Sequence, residues 1–169
     1  MTGNEDTGSS LKEKNGEHPA GDSGQLALLG LFLVVWVFDS FFLHWTTFPA
    51  DHVPLLLRLI PAGLILLLGF ALARAAHSVT DHDGGPESVR TSGVFRYVRH
   101  TLYLGALMFY LALSVASCSL VSLGMLLVIF LFYDFIARYE EKLMINRFGD
   151  EYGNYMKRTG KWIPRPGRG

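Results

Sequence analysis

Arg99 and His100 are adjacent, Tyr103 follows three residues on, and Glu140 and Glu141 form an acidic pair farther along the chain. A guanidinium, an imidazole, a phenol and paired carboxylates are the groups that hold a zwitterionic head group and move protons. The segment 93–105 also carries Tyr97 and is bounded by Gly93 and Gly105, and from Thr101 the chain runs 33 residues to Tyr133 without a charge. The polar cluster therefore stands at the mouth of a membrane segment.

As a single helix that uncharged run would be about 50 Å long, well beyond a hydrocarbon core of about 30 Å, so it must fold back on itself. Ser114, Ser117, Cys118, Ser119 and Ser122 predict the turn, which gives two helices over 101–116 and 119–136. The arms of this hairpin carry Arg99-His100 and Glu140-Glu141 to the same membrane face. His100 and Tyr103 share a helix face, and the unpaired N–H groups at the helix start favour an anion. Such a pocket suits a free amino-acid head group, with its carboxylate on the helix start and the Arg-His side and its ammonium on Glu140 or Glu141.

The elements that position this cluster follow from composition. Half of the 169 residues are apolar and the mean hydropathy is +0.26, above that of ordinary soluble domains. The reading is an all-α integral membrane protein of about four transmembrane helices, the last two a tight hairpin, followed by a cytoplasmic amphipathic C-terminal helix. Residues 1–24 have the composition of a disordered tail. The membrane domain is 25–169, with spans at about 25–48, 55–73, 101–116 and 119–136 and a cofactor segment formed by 74–100 and 137–169. Arg58 and Pro61 fall near the start of the second span, where both are tolerated.

Lys+Arg and Asp+Glu number 15 each, so no net charge argues for nucleic acid. Eight of the 15 cations follow Tyr133 and four lie in 74–99. By the positive-inside rule these segments, both termini and the cluster face the cytoplasm. The lone Cys118 excludes an internal disulfide.

At these positions the chain resembles the isoprenylcysteine carboxyl methyltransferase family and its relatives, the phospholipid methyltransferases. Ser92-Gly93, Arg99-His100-Thr101-Leu102-Tyr103-Leu104-Gly105, Glu140-Glu141 and Phe148-Gly149-Asp150-Glu151-Tyr152-Gly153-Asn154-Tyr155 match the family's blocks in order and spacing, over about the last half of the chain. The resemblance implies an S-adenosylmethionine site held by Val89, Arg90, Phe95, Arg99, His100, Thr101, Leu102, Tyr103 and Glu140. Thr101 stands where the family has Pro, leaving a hydroxyl for the helix start, and Phe95 stands where it has Tyr. Ile136 replaces an Arg of the eukaryotic enzymes, which argues against a prenylcysteine acceptor.

The chemistry so implied is in-line methyl transfer to a lipophilic or amphiphilic small molecule drawn from the membrane lipid, with no obligate protein partner evident. A carboxylate or thiolate acceptor needs no base. A protonated amine does, and Glu141, Tyr152 and His100 are the candidates. Arg158 and Arg138 can hold an anionic acceptor head group.

Competing readings attach to the same residues. Arg99-His100 can be interfacial anchors, Glu140-Glu141 a solvated face, and Tyr152, Tyr155 and Trp162 an aromatic belt. Asp39 is read as structural, paired with His44 or a backbone carbonyl. His77, Asp81, His82 and Asp83 lack the fixed spacing of a metal site, and no metal is assigned. A reductase of the sterol-reductase kind and a non-enzymatic membrane scaffold are the alternative functions.

Overall fold

The computed structural model describes residues 21–82 and 89–165, without the side chains of 80–82. Most of the expected tail, and the Asp81, His82 and Asp83 side chains, lie outside the described residues. Helix α1 spans Gly21–Val37 and continues as a π-helical turn, Phe38–Leu43. It starts four residues before the expected boundary and ends five residues before it.

The reason for the early end is Asp39. His44 adopts a left-handed conformation (φ 52°), and its N–H donates to the Asp39 carbonyl at 2.9 Å. The Asp39 carboxylate accepts from the hydroxyls of Thr46 and Ser119, each at 2.6 Å, and from the Thr46 N–H at 3.0 Å. Thr46 in turn caps the helix that begins at Leu120: its carbonyl takes the Leu120 N–H at 3.2 Å and its hydroxyl the Val121 N–H at 3.0 Å. Two N–H groups left over at a helix start are thereby satisfied, and a carboxylate is placed by the positive end of that helix. The partners of Asp39 are thus Thr46 and Ser119 rather than the His44 ring.

Helix α2 is Leu55–His82, with Pro61 accommodated near its start. It runs nine residues past the expected end at 73, so the first part of the polar stretch after Arg74 is helical. A short 3-10 turn, Gly93–Arg96, then packs on it. Gly93 has φ +54°, and a Cβ there would stand 2.5 Å from Val79 Cγ2. Only glycine fits this return.

Helix α3, Thr101–Ser117, and helix α4, Leu120–Phe148, form the expected hairpin. Cys118 turns the chain at φ 51°, and the Ser119 hydroxyl caps α4 by accepting the Ser122 N–H at 3.2 Å. Helix α4 does not stop near 136. It is one helix of 29 residues, about 43 Å long, followed after Gly149 by α5, Asp150–Arg158. Asp150 and Glu151 in the first turn of α5 and Lys157 and Arg158 in its last turn complement the helix dipole.

Among the described residues, three helical stretches are long and apolar enough to cross a membrane: Gly21–Leu43, Leu55–Val79 and Leu120–Phe148. Helix α3, with 17 residues, is shorter. The chain is an all-helical integral membrane protein, and the exposed leucines of α2 such as Leu56, Leu64 and Leu67 are its lipid-facing surface.

Phe32 of α1, Leu107 and Tyr110 of α3, and Ile129 and Tyr133 of α4 make one buried core. Helix α2 joins it through glycines: a Cβ on Gly105 would stand 3.0 Å from the Gly69 carbonyl oxygen, so the α2 and α3 backbones meet directly. This close contact holds the first turn of α3, where the polar cluster begins.

Candidate active site

Val98 to Tyr103 enter the site at the start of α3, and Glu140 and Glu141 enter from the distal half of α4. Glu141 is the hub. Its Oε1 accepts from Arg99 Nε at 3.0 Å and Nη2 at 2.9 Å, and His100 Nε2 lies 3.2 Å away. Arg99 spends its remaining bonding on the backbone, donating through Nη1 to the Met156 carbonyl at 3.1 Å and to that of Thr159. The guanidinium is 7% exposed. It ties α3, α4 and the end of α5 together, so the expected seat for a ligand carboxylate on Arg99 is already occupied by Glu141.

Glu140 has a different set of neighbours. The Tyr103 hydroxyl donates to its Oε1, and His100 Nδ1 lies 3.7 Å from its Oε2. The imidazole therefore stands between two carboxylates, one on each nitrogen. The His100 and Tyr103 rings are parallel, 5.7 Å apart and 2° from coplanar orientation, and the Tyr103 ring packs on Tyr133 at 5.1 Å.

Thr101 is fully buried, and its hydroxyl donates back to the Val98 carbonyl at 2.8 Å. It therefore does not cap the helix start, and its side chain is closed off from a ligand. No side chain caps α3 at His100. Leu102 is exposed, Val89 and Phe95 are half-buried, and Arg90 is exposed on the irregular segment before the 3-10 turn.

Helix α5 lies over the cluster through Tyr152 and Tyr155, three residues apart and both buried. The Tyr155 hydroxyl donates to the Phe95 carbonyl at 2.7 Å. Burial pushes the Tyr155 phenol up to about 12. Burial, with the negative charge of Glu141 next, pushes the Tyr152 phenol well above the usual tyrosine range. The shift works against Tyr152 as a base, because its phenol is harder to ionise than that of a free tyrosine. Arg158 is exposed, with its Nε on the Asn154 carbonyl at 3.4 Å, and Arg138 is exposed and ion-paired to Asp134 at 2.6 Å.

Asp134 and Lys161 escape the sequence reading, and Trp162 enters it only as a residue of the aromatic belt. Beyond α5 the backbone pairs with the segment before α3, Arg99 N–H on the Gly160 carbonyl at 2.9 Å and Gly160 N–H on that of Tyr97 at 3.2 Å. This turn delivers Lys161 and Trp162 to Asp134 of α4: Lys161 Nζ lies 2.6 Å from Asp134 Oδ1 and Trp162 Nε1 donates to the same oxygen at 3.0 Å. The Trp162 ring also packs 5.7 Å from the His100 ring. The available signal was the spacing: Asp134 precedes Glu141 by seven residues and so shares its face of α4.

Fold and site together define an integral membrane protein whose polar centre is assembled at one end of a helical hairpin. Residues 57–151, more than half of the chain, match the phospholipid methyltransferase family, and the chain belongs to it. A relative, methanethiol S-methyltransferase 1 of Bradyrhizobium diazoefficiens, is 32% identical over 92 residues, covering 52% of this chain and 32% of the relative. The chain thus spans about a third of the length of that relative.

Proposed function

We propose that the chain transfers a methyl group from S-adenosylmethionine to a thiol carrying an apolar group. The observation that carries this reading is the meeting of His100 and Tyr103 with Glu140 across the hairpin. The cluster fits the cofactor's amino-acid end: the carboxylate of Glu140 suits its ammonium, and the start of α3, which no side chain caps, suits its carboxylate. His100, Tyr103 and Glu140 are its proposed holders, with Val89, Arg90, Phe95 and Leu102 on the approaches. Bound there, S-adenosylmethionine supplies a methyl group already activated on a sulfonium.

The chain's own work is then alignment and exclusion of water. Arg99 and Glu141 act through position, fixing the His100 ring and the helix ends around it. A thiol is favoured over the other acceptors for two reasons. As the thiolate it is a strong nucleophile toward a sulfonium methyl group, and with Tyr152 hard to ionise and Glu141 engaged by Arg99, His100 is left as the candidate to take the thiol proton. A carboxylate acceptor needs a cation; Arg99 and Arg138 are engaged by Glu141 and Asp134, which leaves only exposed Arg158 of the arginines considered for that role. The name of the relative points to the same class of acceptor.

In this reading α3 is a fourth, short traversal of a locally thinned bilayer, residues 25–169 are the working domain, and cluster and termini face the cytoplasm. Calorimetric titration of S-adenosylmethionine and its demethylated product into detergent-purified protein tests the proposal. Binding that Glu140→Gln and His100→Ala weaken supports it. A folded wild-type protein that takes up neither ligand, with or without a thiol present, ends it.

A further inference from the structure

A groove of about 370 Å³ runs between α3 and α4, within the range of about 300–1,000 Å³ usual for small-molecule sites. Leu107 and Leu111 on one side and Leu126 and Phe130 on the other are among its lining residues, and Trp162 belongs to the same wall. All of the lining residues are apolar. Trp162 joins the two regions through its ring, which packs 5.5 Å from the Phe130 ring in the groove and 5.7 Å from the His100 ring in the polar cluster.

Its position is set with unusual care for an interfacial tryptophan. The indole N–H is fixed on Asp134 Oδ1 at 3.0 Å, the preceding Lys161 is anchored on the same oxygen at 2.6 Å, and Lys161 Nζ also donates to the Asp134 carbonyl at 3.3 Å. Asp134 is the first charge after the 33-residue uncharged run and its side chain is 16% exposed on α4. A charge at that place needs partners: Arg138, four residues on in α4, takes Oδ2 at 2.6 Å, and the turn that carries Trp162 supplies both groups on Oδ1.

We propose that Trp162 is the specificity-determining residue of the acceptor site, held by Asp134 as a positioning residue, and that the groove lodges a hydrocarbon chain on the acceptor thiol. This rests on the methyltransferase reading of the cluster. The ring stands between groove and cluster, in contact with Phe130 on one side and His100 on the other, so in this reading it separates the part of the acceptor that is methylated from the part that is merely held. The acceptor class is thereby a thiol with a chain of several carbons, larger than methanethiol. Since the chain arrives from lipid, the groove discriminates by shape and not by burial of apolar area.

The test uses the full chain in phosphatidylcholine vesicles and 10-bromodecyl methyl thioether, the methylated form of such an acceptor with a quenching bromine on its tail. Expected is saturable quenching of tryptophan emission that Trp162→Phe abolishes, while a phosphatidylcholine brominated on its acyl chains, at equal bromine content, quenches Trp162 several-fold less. Asp134→Ala is expected to raise KM for decanethiol about tenfold with S-adenosylmethionine affinity unchanged, and Asp134→Asn, which keeps an oxygen for the indole N–H, to restore most of it. Equal quenching by the brominated lipid means that the groove is an ordinary lipid seam and overturns the proposal. So does an acceptor preference of Trp162→Phe and Trp162→Ala identical to wild type across thiols of one to twelve carbons. If quenching behaves as expected but S-adenosylmethionine does not bind, the methyltransferase reading of the cluster fails and the groove stands.

Discussion

His100 Nε2 lies 3.2 Å from Oε1 of Glu141, the oxygen that Arg99 also holds. One carboxylate thus fixes both the imidazole and the guanidinium, while its neighbour Glu140 takes the Tyr103 hydroxyl. Two adjacent glutamates have been given separate tasks, one inside the brace and one at the site. Their substitutions should therefore fail in different ways.

Glu141→Ala leaves the Arg99 guanidinium buried without its counter-charge, a change that costs about 3–5 kcal/mol where a buried pair loses one member. Glu140→Ala removes the acceptor of one phenol and costs about 1–3 kcal/mol, but weakens S-adenosylmethionine binding about ten- to a hundredfold. Thermal unfolding in detergent, read beside calorimetric binding, separates them. Similar unfolding temperatures for the two variants would contradict the division of labour.

The alkaline limit of stability is expected to involve Tyr155. Its phenol ordinarily titrates near 10 and is pushed up to about 12 by burial, so the folded state keeps a proton that the unfolded chain releases. The stability this gives is complete below pH 10 and lost as pH rises to about 12, and two units correspond to roughly 3 kcal/mol. Tyr155→Phe loses the hydrogen bond to Phe95 but should flatten this part of the profile. The check is the unfolding temperature from pH 9 to 12 together with phenolate absorbance; an unchanged slope in the variant would rule Tyr155 out.

Asp39 sits at the opposite end of α4 from the cluster, and Ser119 and Glu141 are about 33 Å apart along the helix. Asp39→Ala deprives the Thr46 and Ser119 hydroxyls of their acceptor, at about 1–3 kcal/mol for each group left unsatisfied. Stability should fall while S-adenosylmethionine affinity holds. A loss of affinity in protein shown to be folded by its unfolding transition would mean that the two ends of the hairpin are coupled.

The hairpin was legible because length alone forces it: 33 uncharged residues exceed a bilayer, and the serine cluster leaves one place to turn. The approach of Arg99-His100 to Glu140-Glu141 follows from that turn. The continuity of α4 was not legible, because the charges from Asp134 to Lys142 break the hydropathy pattern although Glu, Lys and Arg are good helix formers. The Asp39 network and the Lys161-Trp162 turn depend on pairings across 80 and 28 residues of sequence, and no local periodicity reports those.

Gly160 is where that turn is most sensitive. A Cβ there would fall 1.7 Å from the Ile163 carbonyl oxygen and 2.8 Å from its carbonyl carbon, distances that no small adjustment relieves. Gly160→Ala must open the turn, loosen the backbone pairing with Tyr97 and Arg99, and withdraw Trp162 from Asp134. The expected cost is at least the 1–3 kcal/mol of ordinary overpacking, with a red shift of tryptophan emission as the indole leaves its pocket. Gly153, in α5 with nothing within 4 Å of its own added Cβ, is the control. Gly153→Ala should gain up to about 1 kcal/mol from helix propensity. If both variants unfold at the wild-type temperature with unshifted emission, the turn is not what places Trp162, and the indole is held by α4 alone.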